Sequence, residues 1–144
     1  QAVSGYYARR FGVDIDPETE TIVTLGSKEG LANQASAITS PGDVILVPNP
    51  SYPIHPFGFI IAGAAVRSIP VTADENFMEA LERAVIHSVP KPTAVVLNYP
   101  NNPTAELVDL DFYAEVVFMF LNQSRLLHRR PNKRRKERMG LKRF

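Results

Sequence analysis

Four short apolar runs, separated by stretches of helical periodicity, set the fold class of this chain. They are residues 21–25 (Thr-Ile-Val-Thr-Leu), 44–47 (Val-Ile-Leu-Val), 65–70 (Ala-Val-Arg-Ser-Ile-Pro) and 94–97 (Ala-Val-Val-Leu). Each is too short for a helix and most are rich in β-branched residues, so strands are predicted. Between them Leu31, Ala35 and Ile38 recur at helical spacing until Pro41-Gly42, and residues 57–62 form a short apolar helix candidate. Phe77, Leu81, Ala84 and Val85 share one helical face. Asn76 followed by Glu79 is a capping-box pattern with Asn where Ser or Thr is usual. Asp109 can cap a last helix through Phe112, Val116 and Val117. At the start, Val3, Tyr6, Tyr7 and Arg10 predict a helix over residues 1–11, stopped by Gly12. Strands alternating with helices at these lengths predict an α/β fold, a mainly parallel sheet flanked by helices.

The chain of 144 residues is long enough for one domain with a sizeable core. It has no cysteine, hence no disulfide framework, thiolate metal site or cysteine nucleophile. No apolar run approaches a membrane span, and the N-terminus lacks a signal-peptide layout. A cytoplasmic setting fits, and Gln1 suggests a chain that begins partway into a longer one. The net charge of +1 conceals a division. Residues 1–124 carry a net −8 and residues 125–144 a net +9. The block Arg129-Arg130-Pro131-Asn132-Lys133-Arg134-Arg135-Lys136 is a like-charge run, which usually means solvated disorder. Interleaved aromatics and nucleic-acid-binding modules are absent, which weighs against a nucleic-acid partner. The expected division is an α/β body over 1–121 and a disordered basic tail over 122–144. Helical pattern and acidic balance both break near Phe118, as a shifted reading frame, a misjoined gene model or a truncated product would do; a chain ending so abruptly is expected to expose sheet edges and to aggregate.

Three turns carry the chemistry. Leu25-Gly26-Ser27-Lys28-Glu29-Gly30 follows the first predicted strand and opens a helix, an anion-binding layout of free N–H groups at the positive end of the helix dipole. An ordinary helix start with a serine cap reads equally well from this turn alone. It is neither a P-loop nor a G-x-G-x-x-G fingerprint, which disfavours a Rossmann-type oxidoreductase. Pro48-Asn49-Pro50-Ser51-Tyr52-Pro53-Ile54-His55 follows the second strand and offers the Tyr52 ring as a stacking plate. Asn98-Tyr99-Pro100-Asn101-Asn102-Pro103-Thr104 follows the fourth and offers the Asn102 amide. In an open parallel sheet the ligand crevice lies at the carboxyl ends of the strands, so the three turns should converge. Asn49-Pro50 and Asn102-Pro103 are candidates for cis peptides.

In this order and spacing the three motifs resemble the large domain of class I/II aminotransferases, fold-type-I enzymes dependent on pyridoxal 5′-phosphate. The alanine and LL-diaminopimelate aminotransferase branch is the most similar, over about residues 2–117. The resemblance implies Ser27 and Lys28 at the cofactor phosphate, Tyr52 stacked on the pyridine ring, and Asn102 hydrogen-bonded to the phenolic oxygen. His55 falls where some members have a histidine behind the pyridine nitrogen. Ala105 replaces the glycine commonest after Asn-Pro-Thr.

The family's later blocks have no counterpart here: the aspartate that pairs with the pyridine nitrogen, a tyrosine beside the phenolic oxygen, the Schiff-base lysine and the arginine that clamps the substrate carboxylate. Neither Lys28 nor Lys91 has the Schiff-base context, so no catalytic residue is assigned. The resemblance thus implies part of a transaminase, acting in the full-length family on an amino acid and a 2-oxo acid, typically as a homodimer, and inactive alone. A non-enzymatic α/β domain with a polyanion-binding basic tail is the alternative.

Overall fold

A computed structural model of the chain describes residues 1–71 and 76–128. Three strands, β1 (Val44–Asn49), β2 (Ala65–Pro70) and β3 (Pro92–Val95), form one parallel sheet in the order β2-β1-β3. Helix α1 is Ala2–Phe11, α2 Ser27–Ile38, α3 Ile54–Ile61, α4 Phe77–His87 and α5 Leu110–His128. The central strand is buried on both faces. Val44 and Leu46 pack with Ile69, Ala80, Leu81, Val85 and Val116 on the α4/α5 side. Ile45 and Val47 pack with Ala35 and Phe59 on the α2/α3 side. Such a strand reads as a continuous apolar run because neither face meets water.

Local chemistry explains where most elements start and stop. Gly12 ends α1 in the left-handed conformation, φ 67°, and its N–H donates to the Ala8 carbonyl at 3.1 Å. The Asn76 side chain accepts from the Met78 N–H at 2.9 Å, and Asp109 accepts from the Phe112 N–H at 2.9 Å. Pro48 is tolerated inside β1 because the pairing with β3 ends at Leu46, so beyond that point β1 has a ladder on one side only. Likewise Pro92 opens the edge strand β3, which begins two residues before the expected 94–97 and reaches Val95. Helix α3 begins at Ile54 rather than at residue 57, because Pro53 already holds helical dihedrals at its N-cap.

Three expectations need correction. Residues 21–25 are not a strand: the sheet of described residues ends at β3 and β2, and no neighbour supplies these residues with a ladder. Ile22, Val23 and Leu25 are 86–94% exposed. Among the proposed helix faces, Ile38 and Val117 are exposed, while Met119 and Phe120 turn inward against the α4/α5 core. Helix α5 continues to His128, past the expected boundary at 121, with Met119 and Phe120 still packed against the core. The remaining basic tail, 129–144, lies outside the described residues. Among the described residues no helix is long and apolar enough to cross a membrane.

Candidate functional site

Parallel strands β1 and β3 both run toward one edge of the sheet, and the chain leaving each turns there into a proline-rich loop. Together with the start of α2, these loops enclose a cleft of about 540 Å³. Ser27, Lys28, Tyr52, His55 and Asn102, drawn from three separated motifs, all line it, beside Leu31, Ile54, Val96, Leu97, Asn98 and Pro100.

At α2 the N-cap is Gly26, not serine, with φ 92°, a conformation that glycine adopts without a side-chain clash. Ser27 is therefore the first helical residue, and its hydroxyl is exposed with no partner among the described residues. The N–H groups of Ser27, Lys28 and Glu29 have no acceptor within the helix. Thr24 donates its hydroxyl to the Gly26 carbonyl at 3.0 Å, and the Glu29 carboxylate accepts from the Leu25 N–H. Both bonds fix the turn and leave its three amides unpaired, at a helix start whose Ser27 and Lys28 line the cleft. The turn presents donors and one ammonium group, the chemistry that an anion requires.

Tyr52 is held from two sides. Its carbonyl accepts from the His55 N–H at 2.9 Å, and the His55 ring lies 6.1 Å away at 74°. Lys28 Nζ stands 5.3 Å from the centroid of the Tyr52 ring. Burial pushes the His55 imidazole below its ordinary pKa of 6.5, so it is neutral at pH 7. A neutral ring can pack against Tyr52 without placing a second cation beside Lys28.

The loop carrying Asn102 is anchored through its neighbours. Asn98 Nδ2 donates to the Pro100 carbonyl at 3.2 Å. The Asn101 N–H donates to the Glu106 carbonyl at 2.9 Å, and the Ala105 N–H to the Asn101 carbonyl at 2.7 Å. That closure puts Ala105 at φ 58°, which explains why a glycine suits the position: alanine takes the left-handed conformation at a cost of about 1–2 kcal/mol. Tyr99 packs on Phe112 (5.2 Å between centroids) and Tyr113 (6.3 Å), tying the loop to the first turn of α5. Burial, then Glu106 and Tyr113, raise the Tyr99 phenol above its usual 10, so it remains a neutral ring at any physiological pH. This aromatic anchor was missed in the sequence, where Tyr99 reads as part of a turn. An aromatic residue wedged between Asn and Pro at a strand end was the available signal. Asn49-Pro50 and Asn102-Pro103 are both cis, as are Val89-Pro90 and Tyr99-Pro100.

The sequence profile described as aminotransferase class I and II matches residues 1–127. A putative aminotransferase, AatC, of Rhizobium meliloti is 62% identical over 81% of this chain and 29% of its own length. The glutamate-pyruvate aminotransferase AlaC of Escherichia coli is 53% identical over 81% of this chain and 28% of its own. An LL-diaminopimelate aminotransferase of Natranaerobius thermophilus is 41% identical over 88% of this chain and 32% of its own. In structure, the N-succinyldiaminopimelate aminotransferase of Mycobacterium tuberculosis superposes with a TM-score of 0.75 at 30% identity, over 85% of this chain and 32% of that one. The chain thus spans about a third or less of the length of these relatives.

Proposed function

The chain belongs to the class I and II aminotransferase family, and on that premise we propose that it supplies one wall of a pyridoxal 5′-phosphate site in an enzyme that moves an amino group between an amino acid and a 2-oxo acid. The observation that carries this reading is the convergence of Ser27, Lys28, Tyr52, His55 and Asn102 on one cleft at the carboxyl edge of the sheet. The donor set suits the cofactor's parts. Free amides of residues 27–29, the Ser27 hydroxyl and the Lys28 ammonium answer a phosphate dianion. The Tyr52 face answers a flat ring, and the exposed Asn102 amide answers a phenolic oxygen.

Bound there, the cofactor supplies the electron sink for amino-group transfer. The chain's own residues hold and orient. Ser27 and the α2 amides would hold the phosphate end, Tyr52 would offer its ring face for stacking, and Asn102 would donate a hydrogen bond to the phenolic oxygen. His55 acts as a neutral brace behind Tyr52. No residue of the 144 is proposed as the proton-shuttling lysine or as the substrate-carboxylate arginine. Residues 1–144 alone are therefore proposed to bind without turning over, and the whole enzyme to work as a homodimer.

Pyridoxine 5′-phosphate tests the reading, because it lacks the aldehyde that would react with surface lysines. Equilibrium dialysis against residues 1–144 should give one site. Tyr52→Ala should weaken it by roughly two- to tenfold, the worth of an aromatic stack. Binding that is indifferent to both Tyr52→Ala and Asn102→Ala would sink the site assignment. Turnover of an amino acid with 2-oxoglutarate by purified 1–144 would overturn the proposed inactivity.

A further inference from the structure

We propose that Lys28 gates the aromatic face of Tyr52, so that the cleft selects a flat ring that arrives with an anion over the same ring without one. This rests on the cofactor reading of the cleft. Lys28 Nζ lies over the Tyr52 ring at 5.3 Å from the centroid, within the distance at which a cation is attracted by the π face. Both residues line the same cleft, where an incoming ring would meet the ammonium and the aromatic side chain together.

The two partners differ in freedom. Tyr52 is half-buried and held by the His55 N–H and the His55 ring. Lys28 is exposed, and no carboxylate claims its ammonium among the described residues. Its neighbour Glu29 is engaged by the Leu25 N–H instead. Among the described residues the ammonium therefore has the ring as its one partner. Lys28 is also the second residue of α2, in the same turn as the unpaired amides of residues 27–29. An anion seated on those amides lies on the same turn as its side chain and competes for the ammonium as a stronger partner, by charge, than an aromatic face. Once Lys28 turns to the anion, Tyr52 is bare.

Two ligands that compete with and relieve one contact are coupled, and the coupling is reciprocal. Anion binding tightens ring binding by whatever the ring gave up to Lys28. For a cation at an exposed aromatic face that is roughly two- to fivefold. Removing the ammonium should therefore act in opposite directions on two ligands that differ only by a phosphate. Affinity for the bare ring should rise, and affinity for the phosphorylated ring should fall. A residue that merely shaped the cleft would move both the same way.

The experiment compares pyridoxine with pyridoxine 5′-phosphate on residues 1–144, for the unsubstituted chain, Lys28→Met and Tyr52→Ala, at constant ionic strength. In the unsubstituted chain, saturating inorganic phosphate should tighten pyridoxine roughly two- to fivefold. In Lys28→Met, pyridoxine should bind tighter by a similar factor without phosphate, phosphate should no longer help, and pyridoxine 5′-phosphate should bind more weakly. The Lys28 ε-methylene proton signals, shifted upfield by the ring in the free chain, should move downfield when phosphate is added. If pyridoxine 5′-phosphate binding depends on Tyr52 while pyridoxine ignores both phosphate and Lys28→Met, the gate is wrong and the cofactor site stands. If pyridoxine 5′-phosphate binding ignores Tyr52→Ala, both fall together.

Discussion

Residues 21–25 and β1 are composed alike and behave as opposites. Thr-Ile-Val-Thr-Leu and Val-Ile-Leu-Val are both short, apolar and β-branched, and both precede a turn that reaches the cleft. In β1, Val44, Ile45, Leu46 and Val47 are at most 2% exposed. In the other segment Ile22, Val23 and Leu25 are 86–94% exposed and no ladder forms. Side-chain preference for a pleated surface is the same in both. The difference lies in the neighbours. β1 has β2 on one side, β3 on the other and a helical layer on each face. Residues 21–25 have, among the described residues, no strand beside them and meet a helix where Thr24 and Leu25 touch the first turn of α2. A β-prone run becomes a strand only where another backbone answers its N–H and C=O groups.

The sharpest way to break this comparison is truncation in each region. Leu46→Ala removes a side chain that is 0% exposed and packed in the α4/α5 core, and should cost about 2–5 kcal/mol. Leu25→Ala removes an equal volume from a side chain 94% exposed, and should fall within about 0.5 kcal/mol of the unsubstituted chain. Urea unfolding midpoints measure both. Comparable losses would mean that residues 21–25 are buried in solution and that the contrast is false.

The contrast also marks what the sequence could and could not show. Periodicity located α1, α2, α4 and α5 because a helix is a local object whose caps, Gly12, Asn76 and Asp109, sit beside it. It located β1, β2 and β3 as apolar runs between turns. The strandless fate of residues 21–25 was not legible, because it depends on a partner elsewhere. The site was legible at Tyr52 and Asn102, which follow the ends of β1 and β3 that parallel topology brings to one edge, whereas Ser27 and Lys28 reach the same cleft at the start of α2 with no strand before them. The Lys28–Tyr52 contact and the Tyr99 anchor on Phe112 were not, since each joins residues distant in sequence whose pairing no spacing rule encodes.

A smaller test asks how firmly residues 21–25 are held where they meet α2. A Cβ on Gly30 would stand 3.1 Å from Thr24 Oγ1 and 3.4 Å from its Cγ2. Within a helix, alanine for glycine gains up to about 1 kcal/mol from propensity. Thr24 Oγ1 is tied to the Gly26 carbonyl, but its segment has no ladder, so the residue can give by the few tenths of an ångström required if that one bond lengthens. Gly30→Ala should therefore stabilise the chain, by less than about 1 kcal/mol, read as a rise in the urea midpoint. A fall would show Thr24 fixed as rigidly as a strand residue, and the two regions would be more alike than their exposure indicates.

The smallest effect comes from the loop after β1, through its histidine. Burial holds the His55 imidazole below 6.5, whereas in the unfolded chain it titrates near that value. The unfolded state thus binds the proton more readily. The corresponding stability is complete above about pH 6.5 and is lost as pH falls through the folded value. His55→Gln should remove this portion of the acid dependence, so the two chains should converge in relative stability at high pH and diverge below about pH 6.5. An imidazole titration followed by proton NMR, with a midpoint below 6.5, checks the cause directly. If the loop after β1 were as open as residues 21–25, His55 would titrate at its ordinary value and the two stability profiles would run parallel. Acid sensitivity at this one side chain therefore reports whether the burial of β1 extends into the wall of the cleft, where Tyr52 needs a rigid support.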